Sequence, residues 1–356
     1  MPRHGYALLL AFGAGHGLLS QQVSSSRGTT LQKGGWVGSS ACAMCHSDIF
    51  RLQDRSNHAR SLRPAAEIPE LSGEPVFSWA DRSSGATLEI QPGPRLSASK
   101  DAAQQSLLLD WAFGSGKKGI TPVGRRDNGT FVESRLSWYA NGGIGLTTGA
   151  GQRDASSFEE ILGRNLSPRE AAECFGCHTT GHSPGQLAPA RHEMGIRCES
   201  CHGPGANHVR VMPNRPAAAA REILNPGKLH GPEQVRMCGT CHGPPPADSD
   251  VAALRRIERS PNTVRFPSQR LVLSRCYNES MNGLSCSQCH NPHTNVSTSA
   301  EESDRACVAC HVKPRRVCPQ ALNKCASCHM PKQRVMLHSL FTDHYIRVVE
   351  RAEMKR

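Results

Sequence analysis

Seven copies of one pentapeptide, Cys-x-x-Cys-His, restrict most strongly how this chain can fold. In chain order, and numbered motifs 1 to 7, they are CAMCH, CFGCH, CESCH, CGTCH, CSQCH, CVACH and CASCH. Motif 1 begins at Cys42, and the other six lie between Cys174 and His329. A thioredoxin-like redox pair would not be repeated seven times, and a zinc site needs no His directly after its second Cys. The spacing is instead typical of covalent haem c attachment.

Each motif combines the two things that a c-type haem takes from a protein. Two thiols three residues apart can bond to the vinyl groups of one porphyrin, and the adjacent imidazole can bind its iron. The sequence therefore predicts seven covalently bound haem c groups. The predicted attachment residues are Cys42, Cys45, Cys174, Cys177, Cys198, Cys201, Cys238, Cys241, Cys286, Cys289, Cys307, Cys310, Cys325 and Cys328. The predicted proximal iron ligands are His46, His178, His202, His242, His290, His311 and His329.

Little chain surrounds each predicted haem. From Cys174 to His329 there are about 26 residues per motif, too few for an ordinary apolar core around each porphyrin. The chain is 37% hydrophobic and only 5% aromatic, and its 33 Gly and 24 Pro favour short helices joined by loops. We therefore expect a mostly α and irregular multihaem cytochrome fold, with stacked haems as its core and a small β-rich insert.

The formal charge of +12 raises the question of a nucleic-acid partner. Fourteen haem propionates would largely cancel that charge, so that many Lys and Arg side chains are expected to pair with propionates. No basic run alternates with aromatic residues, and we expect no nucleic-acid binding.

Four segments follow along the chain. Residues 1–25 resemble an export signal, with a basic start before a short apolar stretch. Residues 36–64 form the first haem segment, and residues 166–350 form a six-haem cytochrome domain. Residues 65–165 contain neither Cys nor His, and their alternating or β-branched runs predict a β-rich insert. The insert is either a spacer and lid beside the haems or a docking surface for a partner.

The six-haem domain opens with SPREAAECFGCH. Ser167 and Glu170 have the spacing of a capping box, and Pro168 occupies the first helical position. A short helix is therefore expected to present motif 2.

A six-coordinate haem iron also needs a distal ligand, on the side opposite the proximal His. After the proximal His residues and the two in the export signal are set aside, eight His remain: His58, His182, His192, His208, His230, His293, His338 and His344. Eight candidates for seven positions predict mostly bis-His irons, which pass electrons because they have no place for a substrate. If His182 and His230 are exposed, one iron is left open. His182 either serves a neighbouring haem or is exposed.

Two cysteines, Cys276 and Cys318, lie outside the motifs. Because haem c attachment takes place outside the bacterial cytoplasm, this pair either forms a disulfide or remains as two inert thiols.

At GIRCESCHGPGANH, CFGCHTTG and CAMCH…NHARSL the sequence resembles the periplasmic multihaem cytochromes typified by the tetrahaem cytochrome that accepts electrons from hydroxylamine oxidoreductase. CSQCHNPH and CHMPK…FTDHYIRV resemble related larger cytochromes with paired motifs. The likeness covers about residues 36–60 and 170–350, and implies haems in alternating parallel and perpendicular pairs. It implies an open iron at motif 2. It also implies distal ligands at His58, His208, His293 and His344, with His192 and His338 next.

These observations predict a periplasmic, possibly cell-surface, cytochrome that relays electrons between redox proteins, with no transmembrane segment in the mature chain. The alternative is an oxidoreductase that acts on a small nitrogen or sulfur species at one five-coordinate haem. No catalytic residue is predicted, and an electron carrier is favoured over an enzyme.

Overall fold

The computed structural model describes residues 35–72, 77–150, 157–183, 186, 188–280, 283–311, 323–336 and 339–349. The predicted export signal and Cys318 lie outside these residues, as does His338.

An antiparallel sheet of ten strands follows motif 1. Its strands are β1 (Leu62–Pro64), β2 (Phe77–Asp81), β3 (Ala86–Gln91), β4 (Arg95–Lys100), β5 (Ala103–Phe113), β6 (Gly119–Arg125), β7 (Phe131–Ser134), β8 (Leu136–Tyr139), β9 (Gly143–Leu146) and β10 (Gly163–Leu166). The hydrogen-bonded order is β10-β7-β6-β5-β4-β3-β2, with β1 paired to β5 and β8 paired to both β6 and β9.

Buried and half-buried side chains alternate along the strands, and this alternation explains how the sheet is packed. In β3, Ala86, Leu88 and Ile90 are buried, while the residue after each of them is half-buried. Leu88 is paired with Trp79 on one side and Ala98 on the other. Because side chains of a strand point alternately to its two faces, this pattern places one apolar face on a core. That core includes Leu71, Leu96, Leu109, Ile120, Val132, Leu136 and Leu162.

The β-rich insert is a sheet of ten strands rather than a small element, so the expectation of a mostly α and irregular fold is not confirmed. Strands β2 to β10 of the sheet lie between Phe77 and Leu166, where the chain has no Cys or His to attach a porphyrin that could fill an interior. The segment therefore buries its own aliphatic side chains, as an ordinary domain does.

A buried ion pair lies within the sheet. Arg135 Nε donates to Asp81 Oδ2 at 2.7 Å, and the two side chains are 4% and 2% exposed. The Ser83 and Ser84 hydroxyls also donate to the Asp81 carboxylate. Burial disfavours the carboxylate, but these hydrogen bonds and Arg135 outweigh it, and the pKa of Asp81 is lowered.

Short helices form the rest of the described chain. They are α1 (Ser39–Ala43), α2 (Ser47–Asp54), α3 (Pro69–Ser72), α4 (Pro168–His178), α5 (Cys198–His202), α6 (Ala206–Val211), α7 (Pro216–Ala219), α8 (Gly231–His242), α9 (Val251–Arg259), α10 (Pro267–Leu271), α11 (Arg275–Glu279), α12 (Ala300–Val308) and α13 (Cys325–His329). Single 3-10 turns lie at Ala65–Glu67, Phe158–Ile161, Arg191–Glu193, Pro226–Lys228, Pro261–Arg265 and Cys286–Gln288. A hairpin of β11 (Lys332–Met336) and β12 (Ser339–Thr342) follows α13. None of the helices within the described ranges is long and apolar enough to cross a membrane.

The predicted capping box of α4 is confirmed. The Ser167 hydroxyl accepts from the Glu170 amide at 3.2 Å, and the Glu170 carboxylate accepts from the Ser167 amide at 2.9 Å. Pro168 is the first residue of the helix. The helix therefore begins where the sequence predicts, and it ends at the proximal residue of motif 2.

Aromatic packing joins the sheet to that helix. The Phe175 ring lies 5.5 Å from the Trp111 ring and 5.6 Å from the Phe131 ring, measured between centroids. Leu62 and Leu166 belong to the same buried cluster. The insert is thus packed directly against motif 2.

Candidate haem sites

Imidazole rings from distant parts of the chain meet in four pairs. The centroids of His46 and His208 are 6.3 Å apart, and those of His58 and His242 are 5.9 Å apart. His202 faces His293 at 6.1 Å, and His290 faces His344 at 6.1 Å. Each pair joins one predicted proximal ligand to one of the four distal candidates that the resemblance places first.

The distance within each pair fits one iron. Two imidazoles that bind a metal from opposite sides, with metal–nitrogen bonds of about 2 Å, have ring centres about 6 Å apart. Direct stacking of two rings would bring them closer. The pairs therefore leave the space that an iron atom in a porphyrin plane requires.

Main-chain carbonyl groups orient several of these rings. Nδ1 lies 2.8 Å from Leu224 O in His202, 2.9 Å from Ala219 O in His208 and 3.1 Å from Thr342 O in His344. A ring that donates from Nδ1 to a carbonyl keeps Nε2 unprotonated and available to a metal. Burial also lowers the pKa of His344 to about 4, so that the free ring is neutral at neutral pH.

Motif 2 differs from these four sites. His178 Nδ1 lies 2.9 Å from Ser61 O, so its orientation suits a proximal ligand. Its ring meets the edge of Phe113 at 5.1 Å, and burial lowers its pKa. Among the described residues, no second imidazole faces His178 at the separation of the four pairs.

The remaining His residues fall into two groups. His329 resembles the other proximal ligands, with Nδ1 2.9 Å from Arg347 O, whereas His311 is exposed. Of the spare candidates, His192 and His230 are exposed, and His192 therefore stays a prediction as a ligand.

His182 is neither exposed nor paired with another imidazole in the described chain. Its side chain is 5% exposed, and Nδ1 lies 3.4 Å from the Glu193 carboxylate. The helix of motif 2 ends at His178, and Thr179 is extended, so His182 does not continue its helical face.

Thiols of different motifs also lie in contact. Hydrogen bonds join Cys42 to Cys198 and Cys177 to Cys241. Others join Cys238 to Cys286 and Cys307 to Cys325. These contacts place motif 1 beside motif 3, motif 2 beside motif 4, motif 4 beside motif 5, and motif 6 beside motif 7.

Two further motif pairs interact electrostatically, without a hydrogen bond between their thiols. Cys201 of motif 3 interacts electrostatically with Cys238 of motif 4, and together with burial this raises the pKa of its thiol to about 11. Cys289 of motif 5 interacts in the same way with Cys307 of motif 6. Thiol hydrogen bonds thus link motif 1 to motif 3, motif 4 to motifs 2 and 5, and motif 6 to motif 7. Electrostatic interactions run between motifs 3 and 4 and between motifs 5 and 6.

Sequence reasoning missed the residues that hold these motifs together. Gly195 has a φ of +83°, and its amide donates to His178 O at 2.9 Å. The amide of Ile196 donates to His58 O at 2.9 Å. The Gly-Ile pair before motif 3 therefore ties the proximal residue of motif 2 to the segment of His58. Such ties join residues far apart in sequence, and the only signal for them was the motif GIRCESCHGPG itself.

The described chain contains no group of three or more His, Cys, Asp or Glu side chains that converges as a metal site of protein ligands alone. A pair of imidazoles is enough protein ligation for a haem iron, since a porphyrin supplies the other four iron ligands.

The motifs and the comparisons together make this chain similar to multihaem c-type cytochromes. The family model for cytochrome c554 and c-prime matches residues 150–203, which contain motifs 2 and 3. The dissimilatory sulfite reductase MccA of Wolinella succinogenes is 22% identical over 84% of this chain. The multihaem cytochrome MtrA of Shewanella baltica is 23% identical over 46% of it.

The chain spans only part of these relatives, 53% of MccA and 59% of MtrA. Among solved structures, the outer cell wall cytochrome OcwA is similar with a TM-score of 0.53 and 16% identity. The similarity covers 88% of this chain and 80% of OcwA, and it supports the fold.

Proposed function

We propose that this protein binds seven haem c groups and carries electrons along them. The four imidazole pairs at about 6 Å are the observation on which this proposal chiefly rests. Haem iron supplies one-electron transfer between its ferric and ferrous states. The protein's part is to attach the porphyrins, fill both axial positions and hold neighbouring porphyrins close together.

In each of the four pairs, we take the first residue as the proximal ligand of its motif and the second as the distal ligand of the same iron. The pairs are His46 with His208, His242 with His58, His202 with His293 and His290 with His344. Two imidazoles leave no position for a substrate, so these four irons pass electrons. Their low potentials, relative to His/Met irons, suit a reducing partner.

The thiol contacts support a route for those electrons. Because attachment sulfurs bond to the porphyrin edge, motifs whose thiols touch hold porphyrins with neighbouring edges. Electrons would then run through haems 1, 3, 4, 5, 6 and 7 in that order, with haem 2 as a side branch from haem 4. The ends of the route are where redox proteins that donate or accept electrons would dock. We do not propose hydroxylamine oxidoreductase, the partner of the tetrahaem cytochromes, as a partner of this chain.

We further propose that the protein is exported, since haem c attachment takes place outside the bacterial cytoplasm.

Mass spectrometry and spectroscopy of the purified protein test this function. The intact mass should exceed that of the mature polypeptide by seven haems, and a reductive titration should take up seven electrons per chain. A haem count below seven would refute the stoichiometry. Seven haems that cannot be reduced through a common partner would refute the electron-transfer role.

A second candidate function is reduction of a small sulfur or nitrogen oxyanion at the iron bound by His178. Three observations favour it: the ring has no imidazole partner in the described chain, the c554 family model matches this region, and a relative is named as a sulfite reductase. In this case the other haems would feed electrons to motif 2. A high-spin ferric signal that shifts when sulfite or nitrite is added would support it, and a signal unchanged by both anions would exclude it.

A further inference from the structure

Motif 3 contains an acidic residue, Glu199, whose carboxylate is turned into the protein. The residue is 3% exposed. Its Oε1 accepts from the Val37 amide at 3.0 Å and from the Gly205 amide at 2.7 Å, and its Oε2 accepts from the Gly38 amide at 2.8 Å. A buried carboxylate is costly unless it is hydrogen-bonded, and three main-chain donors meet that need.

The three donors belong to the two segments that flank the first haem. Gly38 precedes α1, which carries the attachment residue Cys42, and His46 follows shortly after it. Gly205 precedes α6, which carries His208. His46 and His208 are the rings that face each other at 6.3 Å. One carboxylate in motif 3 therefore contacts both the proximal and the distal segment of motif 1.

Besides Glu199, the Ala206 amide joins these two segments by donating to Gly35 O at 3.2 Å. Helices as short as α1 and α6, of 5 and 6 residues, are not stable by themselves and depend on tertiary contacts. Gly205 is also packed closely, since a Cβ there would lie 3.1 Å from Val37 Cγ2 and 3.3 Å from Glu199 Oε1. The carboxylate and the glycine thus form one tight junction between the two segments.

We propose that Glu199 is the positioning residue for haem 1, holding its proximal and distal imidazoles at the separation that six-coordination requires. This inference rests on the coordination of haem 1 by His46 and His208 proposed above. Loss of the carboxylate lets the α6 segment move away, and the bond from His208 to the iron then opens more often.

Carbon monoxide binding to the reduced protein reports that opening, because CO competes with a distal imidazole for the sixth position. We compare the full-length haem-loaded protein with Glu199→Ala and Glu199→Gln. Gln keeps Oε1 for Val37 and Gly205 but places an NH2 group opposite the Gly38 amide, so it should be intermediate. A matched control is Glu233→Ala, which removes an exposed carboxylate that accepts one main-chain N–H in the helix of motif 4.

Glu199→Ala is expected to keep all covalent haem, by mass, and to bind CO at one more haem per chain than the wild type. Glu199→Gln should bind CO at that haem roughly tenfold faster than the wild type, through loss of one charge-assisted hydrogen bond. Glu233→Ala should match the wild type. Unchanged CO stoichiometry and rate in both Glu199 variants would overturn the proposal. If Glu199→Ala does not accumulate as a folded protein, the CO-binding rate of Glu199→Gln alone tests the proposal.

A double variant identifies the haem. His208→Ala alone should open haem 1, so adding Glu199→Ala should create no further CO-binding haem. An additional open haem in the double variant would show that Glu199 acts elsewhere. If the wild type carries fewer haems than seven, the proposed function fails, whereas an unchanged Glu199 variant of a seven-haem protein refutes only the positioning role.

Discussion

At the scale of single residues, main-chain carbonyl groups that accept from Nδ1 orient some of the candidate ligands. His208 shows the arrangement most completely: its Nδ1 is 2.9 Å from Ala219 O, and its ring faces His46. With Nδ1 donating to a carbonyl, Nε2 carries the lone pair that a metal can accept. His230, by contrast, is exposed.

Replacement of His208 tests this assignment. His208→Ala should convert one haem from low spin to high spin without loss of covalent haem, because the thioether bonds and His46 remain. Electron paramagnetic resonance of the oxidised protein measures the change, and His230→Ala is the control. An unchanged low-spin signal in His208→Ala would remove His208 from the ligands.

Gly195→Ala should destabilise the contact between motif 2 and the His58 segment. At φ +83° an L residue is strained, and a Cβ would lie 2.0 Å from Ala59 O. We expect a loss of at least about 2 kcal/mol in the free energy of unfolding, measured by urea denaturation. Gly129→Ala is the control for strain alone, since φ is +87° but nothing lies within 4 Å. Equal losses in the two variants would contradict the predicted clash.

At the scale of elements, the sheet and the helices are packed in different ways. The sheet fills its interior with aliphatic side chains such as Leu88 and Leu136, whereas the helices from α4 onward present thiols and imidazoles. The Phe175 ring of α4 lies at the junction, in contact with Trp111 of the sheet. The insert is therefore packed beside motif 2.

The buried ion pair of the sheet predicts a pH dependence. The pKa of Asp81 is lowered on folding, so its contribution is present above the unfolded value near 3.8 and is lost as the pH falls through the lower folded value. Asp81→Asn should lose about 3 kcal/mol at pH 7, because Arg135 stays buried without its counter-charge. The loss should shrink as the pH falls below about 4.

Hydrogen exchange of the sheet amides, measured from pH 7 downwards, compares this variant with Asp101→Asn in an exposed turn. A pH-independent difference between Asp81→Asn and the wild type would argue against a charged Asp81.

At the scale of the whole molecule, the sequence predicts local features and cannot predict pairings. The seven motifs, the capping box at Ser167 and the β-rich character of the insert follow from short patterns. Which distal imidazole meets which motif does not, since His46 and His208 are joined only by the fold. The hydrogen bonds of the Glu199 carboxylate could not be predicted from the sequence either, because the donors Val37 and Gly38 precede Glu199 by more than 160 residues.

The arrangement of the motifs in the whole molecule determines how electrons would travel. Thiol hydrogen bonds and electrostatic interactions relate the motifs in one series, with motif 2 beside motif 4. His178 of motif 2 has no imidazole partner in the described chain. A terminal branch with an open iron suits a site that meets a small molecule, and the series suits relay between proteins.

The most direct test of the account is quantitative electron paramagnetic resonance of the fully oxidised protein, referred to chain concentration. We predict at least four low-spin ferric haems per chain with bis-imidazole signals, one for each observed ring pair. Fewer than four would contradict the proposed coordination.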